Sequence, residues 1–195
     1  TSEFLQDGAI LCDGGSPIIE QCRIVSNLAT EGAAGIACYN SRAIIRDCLV
    51  SDNQALETTA AVDYFYLTGG ILVESESVVE ISRCIITDNM DFDVGGVKCG
   101  SDSQVAIYNS LIYNNYAYST GGIRGQSGSF IYIETSKISY NSGQTGGIWA
   151  NGDAEIINSL ISYNSGSTRT GGVSISNNGI MKNCTIAENA GHYVG

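Results

Sequence analysis

One pattern, returning every 25 or 26 residues, limits what this chain can fold into more than any other property. Gly-Gly followed by Ile or Val begins at Gly69, Gly95, Gly121, Gly146 and Gly171, and two degenerate copies precede them, Gly8-Ala9-Ile10 and Ala34-Gly35-Ile36. A second block aligns within each copy without gaps. Its small residue is Cys22, Cys48, Cys84, Ser110, Ser136, Ser159 or Cys184, and two residues later stand Ile24, Val50, Ile86, Ile112, Ile138, Ile161 and Ile186. Three further on come Asn27, Asn53, Asn89, Asn115, Asn141, Asn164 and Asn189. A third apolar column, Ile19, Ile45, Ile81, Ile107, Ile133, Ile156 and Met181, lies three residues before the small position. Self-similarity at this period is the mark of a solenoid.

The apolar segments run four to six residues and alternate at period two, as in Gly70-Ile71-Leu72-Val73, whereas helical periodicity is absent. An all-β fold follows: a right-handed parallel β-helix of about seven coils, each with three short strands. A single coil cannot bury its apolar side. Stacked coils bury Ile on Ile, worth about 25 cal/mol per Å² of apolar surface, and pair their backbones with the coils on either side. The Asn column supplies amides that hydrogen-bond from coil to coil and a residue that tolerates left-handed backbone at a corner. Gly-Gly serves another corner, where positive φ or close backbone approach excludes a side chain. With 24 Gly and one Pro, the composition agrees, because Pro cannot donate to a ladder on both sides.

Seven Cys fall in the repeat columns and none forms a C-x-x-C. Cys12, Cys38 and Cys99 share a position with Val73, Gly125, Ala150 and Ile175, so the site wants a small buried side chain. Buried free thiols are expected, with a disulfide between stacked neighbours such as Cys22 and Cys48 as the alternative. Net charge is −11, from 9 basic and 20 acidic residues, with no basic cluster. Nucleic acid is therefore not an expected partner, and no apolar run reaches the ~18 residues of a spanning helix, so no membrane insertion of this segment is expected.

On the Gly-Gly-Ile/Val and Ile/Val-x-x-Asn repeats, the sequence resembles the right-handed parallel β-helices of the pectate-lyase-like superfamily over nearly its whole length. The repeats are also similar to those of bacterial polymorphic outer-membrane adhesins, with Ile or Val where those carry Phe. The resemblance implies a rigid solenoid, an extracellular or cell-surface location and, where such proteins are enzymes, polysaccharide chemistry on the outer face of one sheet. The polygalacturonase-like segments, the pectate-lyase Arg motif and the alginate-epimerase Asp-Pro-His-Asp are all absent. His192 reads as an exposed corner residue rather than a general base.

Residues 1–195 read as a single β-helix segment of a longer or end-to-end stacking protein, since no capping element is visible. Residues 54–68 form a loop inserted in the second coil, where 35 residues separate Gly35 from Gly70. Its Tyr64, Phe65 and Tyr66 are candidate contact residues. On the strand after Gly-Gly, the outward positions Lys98, Arg124 and Trp149 form an exposed ladder with spacing of roughly 4.8 Å, suited to an acidic sugar chain. An ordinary decorated surface is the alternative. Asp52, Asp88, Asp91 and Asp93 gather at one corner, either as a solvated acidic edge or as oxygen ligands of the kind Ca²⁺ takes. No other cofactor is expected.

Two functions follow. One is a structural, adhesive or assembly module whose partners are other parts of a longer chain, copies of itself, or a polysaccharide or cell-surface glycan. The other is a fragment of a lyase or hydrolase acting on acidic polysaccharides.

Overall fold

The computed structural model describes residues 8–56 and 67–192. Every strand in it pairs in parallel with its counterparts one coil away, and the strands form four sheets of seven. The first sheet follows each Gly-Gly turn and comprises Ile10–Asp13, Ile36–Tyr39, Ile71–Glu74, Val97–Cys99, Ile123–Gly125, Ile148–Ala150 and Val173–Ile175. The second runs from Ile18–Glu20 to Gly179–Lys182 and the third from Arg23–Val25 to Thr185–Ala187, one strand per coil.

The fourth sheet corrects the expected three strands per coil. It consists of two-residue strands just after each ladder Asn: Leu28–Ala29, Gln54–Ala55, Met90–Asp91, Tyr116–Ala117, Ser142–Gly143, Ser165–Gly166 and Ala190–Gly191. Two residues are too few to display an alternation, so hydrophobic periodicity does not reveal them. Gln54–Ala55 also shows that the first residues assigned to the 54–68 insertion continue this sheet, and Leu67 and Thr68 at its far end are buried. Tyr64, Phe65 and Tyr66 lie outside the described residues.

Registers agree with the repeat columns. Ile45 pairs with Ile81, Ile81 with Ile107, Ile107 with Ile133 and Ile133 with Ile156, all fully buried. Val50, Ile86, Ile112, Ile138 and Ile161 do the same in the third sheet. Each such side chain contributes about 1.5–3 kcal/mol by leaving water. All seven Cys are free thiols. Cys12, Cys38, Cys48, Cys84 and Cys99 are buried as expected, whereas Cys22 is exposed and Cys184 half-buried.

The corners divide their labour differently from the sequence expectation. Left-handed backbone falls on the residue before each ladder Asn: Ser26, Asp52, Asp88, Asn114, Tyr140, Tyr163 and Glu188. A second left-handed corner precedes each small position, at Gln21, Asp47, Arg83, Asn109, Thr135, Asn158 and Asn183. The ladder Asn is thereby released for hydrogen bonding. Asn89 Nδ2 donates to Asn115 Oδ1 at 3.0 Å, Asn115 Nδ2 to Asn141 Oδ1 at 3.0 Å, and Asn141 Nδ2 to Asn164 Oδ1 at 3.0 Å. Each amide oxygen also accepts the backbone N–H of the Asn one coil earlier. In the Gly-Gly pairs φ is not positive; what excludes a side chain is proximity, since a Cβ on Gly96 would stand 2.4 Å from the Gly122 carbonyl oxygen.

Candidate ligand-binding cleft

The outward column of the first sheet runs Leu72, Lys98, Arg124, Trp149 and Ser174, each in register with the next. The predicted juxtaposition of Lys98, Arg124 and Trp149 therefore exists, but not as an exposed ladder. Lys98 is 0 % exposed, beside an equally buried Leu72 and Ala37. A long cation in such a place needs carboxylates. Its Nζ lies 3.1 Å from Asp93 Oδ2 and 3.7 Å from Glu74 Oε1. Arg124 Nη1 ion-pairs with the other oxygen of Asp93 and reaches Ser119 Oγ at 3.4 Å. Burial pushes the Glu74 and Asp93 carboxyls upward, while Lys98, joined at Asp93 by Arg124, opposes that rise.

What remains accessible is one coil further on. Trp149 lies between two guanidinium groups, with Arg124 Cζ 4.5 Å and Arg169 Cζ 4.4 Å from the ring centroid. Phe92 and Tyr118 stack at 4.7 Å with their planes 12° apart. These side chains, with Asp93, Ser119 and Gln144, line a cleft of about 250 Å³. Among the described residues no carboxylate forms an ion pair with Arg169, so its charge is available to a ligand. Arg169 stands two residues before the fifth Gly-Gly pair, the offset that Asp93, Ser119 and Gln144 hold before the second, third and fourth, and its backbone N–H donates to the Gln144 carbonyl. The side chains of this corner position are unlike one another, so hydrophobic periodicity does not reveal the column or its approach to Trp149.

The chain's regularity decides its family. A family model described as right handed beta helix region matches residues 2–110 and 69–194. The chain belongs to the right-handed β-helix family. Comparison with curated proteins and with solved structures gave no match.

The β-helix splits the four candidate acidic residues into two pairs. Asp52 and Asp88 are exposed left-handed corner residues. Asp91 and Asp93 are buried, and Asp93 is already engaged by Lys98 and Arg124. Asp91 occupies a column otherwise made of Ala29, Ala55, Ala117, Gly143, Gly166 and Gly191, an anomaly readable in the sequence once the fourth sheet is known. Burial pushes its carboxyl up to about 7, and the backbone N–H groups of Phe92 and Val94 donate to it. Among the described residues no group of three or more His, Cys, Asp or Glu side chains is placed to hold a metal ion. His192 is exposed in the last described corner, as expected.

Proposed function

We propose that this β-helix is an extracellular or cell-surface structural module that binds an acidic glycan in the cleft of Trp149, Arg169, Phe92 and Tyr118. The observation that carries the reading is the Trp149 ring held beside Arg169, a cation without an ion-pair partner among the described residues. Aromatic faces suit the apolar side of a sugar ring, and a guanidinium suits its carboxylate. The cleft volume is of the order of one or two sugar units. The Asn ladder and Ile columns keep the coils rigid, so the cleft is built before the ligand arrives and little ordering entropy is spent on binding. The resemblance to surface adhesins supports the location.

Trp149 is the only Trp, so its fluorescence reports on the cleft directly. Titration with oligogalacturonate or oligo-alginate is expected to change the Trp149 signal saturably. Arg169→Ala should weaken that binding about tenfold or more, and salt should weaken it in the unaltered protein. Neutral oligosaccharides binding as well as acidic ones would refute the role given to Arg169. Appearance of unsaturated uronate in the same samples, lost in Arg124→Ala, would replace a binding module with a lyase.

A further inference from the structure

Asp93 and Arg124, on the inner wall of the cleft, continue into a buried cluster away from the Trp149–Arg169 pair. Lys98, Asp93 and Glu74 meet out of solvent, with side chains 0 %, 2 % and 16 % exposed. Lys98 Nζ and Asp93 Oδ2 are 3.1 Å apart, which places the amine nitrogen beside the carboxyl whose carbon it would attack. Arg124 holds the remaining oxygen of Asp93. Glu74 is 3.7 Å from the same amine, and its carboxyl takes the space a side chain at position 100 would need: a Cβ on Gly100 would stand 2.0 Å from Glu74 Oε2. Nucleophile, electrophile, oxyanion partner and proton carrier thus sit together in a dry site.

We propose that Lys98 Nζ and Asp93 Cγ become joined by an isopeptide bond that the folded chain forms on itself, with Glu74 carrying the proton and Arg124 holding the oxygen that takes the charge. In the first step one proton passes from the Lys98 ammonium to Asp93 Oδ2 across their 3.1 Å contact, leaving an amine and a carboxylic acid. The free amine attacks Cγ, and the developing negative charge falls on the oxygen bound by Arg124. Glu74 accepts the proton released by the nitrogen and returns it to the departing oxygen; the Cγ–Oδ2 bond breaks and water leaves. The balance is one ammonium and one carboxylate converted to one amide and one water, with no oxidant or cofactor. The driving force is removal of two buried charges whose desolvation is costly. The product bridges the Gly95-Gly96 corner and fixes the wall from which Arg124 projects.

Intact mass and tryptic mapping of the folded protein test this. The expected product is lighter by one water, and trypsin fails to cut after Lys98, leaving the fragment Cys84 to Arg124 whole and one water light. Asp93→Asn should link with loss of ammonia instead of water. Glu74→Gln should fold, as checked by far-UV circular dichroism, and link about a hundredfold more slowly. Full mass with cleavage after Lys98 in the unaltered protein would overturn the proposal and leave an ion pair. Linkage of Lys98 to Glu74 would overturn the choice of Asp93, and unchanged linking in Glu74→Gln would overturn the proton carrier. The linkage is read by mass and glycan binding by Trp149 fluorescence, so failure of one is distinguishable from failure of the other.

Discussion

Replacing Asn115 by Ala tests the claim that the Asn ladder, rather than the apolar columns alone, holds the coils in register. Asn115 is 1 % exposed and sits mid-ladder. Its Oδ1 accepts from both the backbone N–H and the side-chain amide of Asn89, and its Nδ2 donates to Asn141 Oδ1 and to the carbonyls of Ile86 and Tyr113. The side-chain amide of Asn89 keeps its bond to Val50, but the Asn89 backbone N–H is left buried without a partner. An orphaned buried group costs about 1–3 kcal/mol and each lost ordinary bond about 1, so the expected loss is about 3–5 kcal/mol, or about 10 °C in Tm for a chain of this size. Urea unfolding monitored by circular dichroism supplies the free energy. Asn189→Ala is the internal control: Asn189 accepts from Asn164 and donates to the Ile161 and Ala187 carbonyls but, among the described residues, to no further Asn, and it is half-buried, so water replaces the missing amide and the loss should be less than half as large. Asn115→Asp sharpens the test, because a carboxylate still accepts from Asn89 but faces the Asn141 and Ile86 oxygens. It should be destabilised at neutral pH and partly rescued by acid. A loss below about 1 kcal/mol for Asn115→Ala, or equal losses at 115 and 189, would refute the reasoning.

Gly96→Ala should prevent normal coil spacing and abolish soluble expression or lower Tm steeply, whereas Gly14→Ala, at φ +75° with nothing within 4 Å of the added Cβ, should cost about 1 kcal/mol of strain; thermal melts of both check this. Asp91 has a folded-state pKa of about 7 against an ordinary 3.8, so the native protein holds the extra proton between those values. Its stabilising contribution is complete below about pH 4 and lost as pH rises through 7; Asp91→Asn should flatten the fall in Tm over that window. Aromatic disulfide reagents should modify Cys22 first in the native protein and reach Cys38, Cys48, Cys84 and Cys99 only on unfolding, as followed by mass spectrometry.

The repeat determined a great deal by itself. Period, coil number, inward columns and the register that sets Lys98 beside Arg124 and Arg124 beside Trp149 all follow from residue order, because in-register parallel stacking converts equal sequence spacing into adjacency. Local corner chemistry was less legible. Asn tolerates left-handed backbone, yet the protein places that conformation one residue earlier, on Asp88, Tyr140 or Glu188, and keeps the amide for the ladder. The two-residue fourth strands carry too little pattern to be seen, so Asp91 could not be recognised as a carboxyl standing among alanines and glycines.

Tertiary structure alone decided which outward positions meet solvent. Alternation says that Lys98 points away from the core, and solvent is the natural expectation for a lysine. Whether the space beyond is water or protein depends on how the corner before the strand and the neighbouring coil fold over it, and here Asp93, just before the Gly95-Gly96 corner, and Glu74, one coil back, enclose the ammonium. Arg169 shows the converse, reaching Trp149 from a corner position whose occupants, Asp93, Ser119, Gln144 and Arg169, share no chemistry that would mark it. Periodicity specifies neighbours within one column of the lattice of coils; contacts between side chains of different columns depend on the path of the folded backbone.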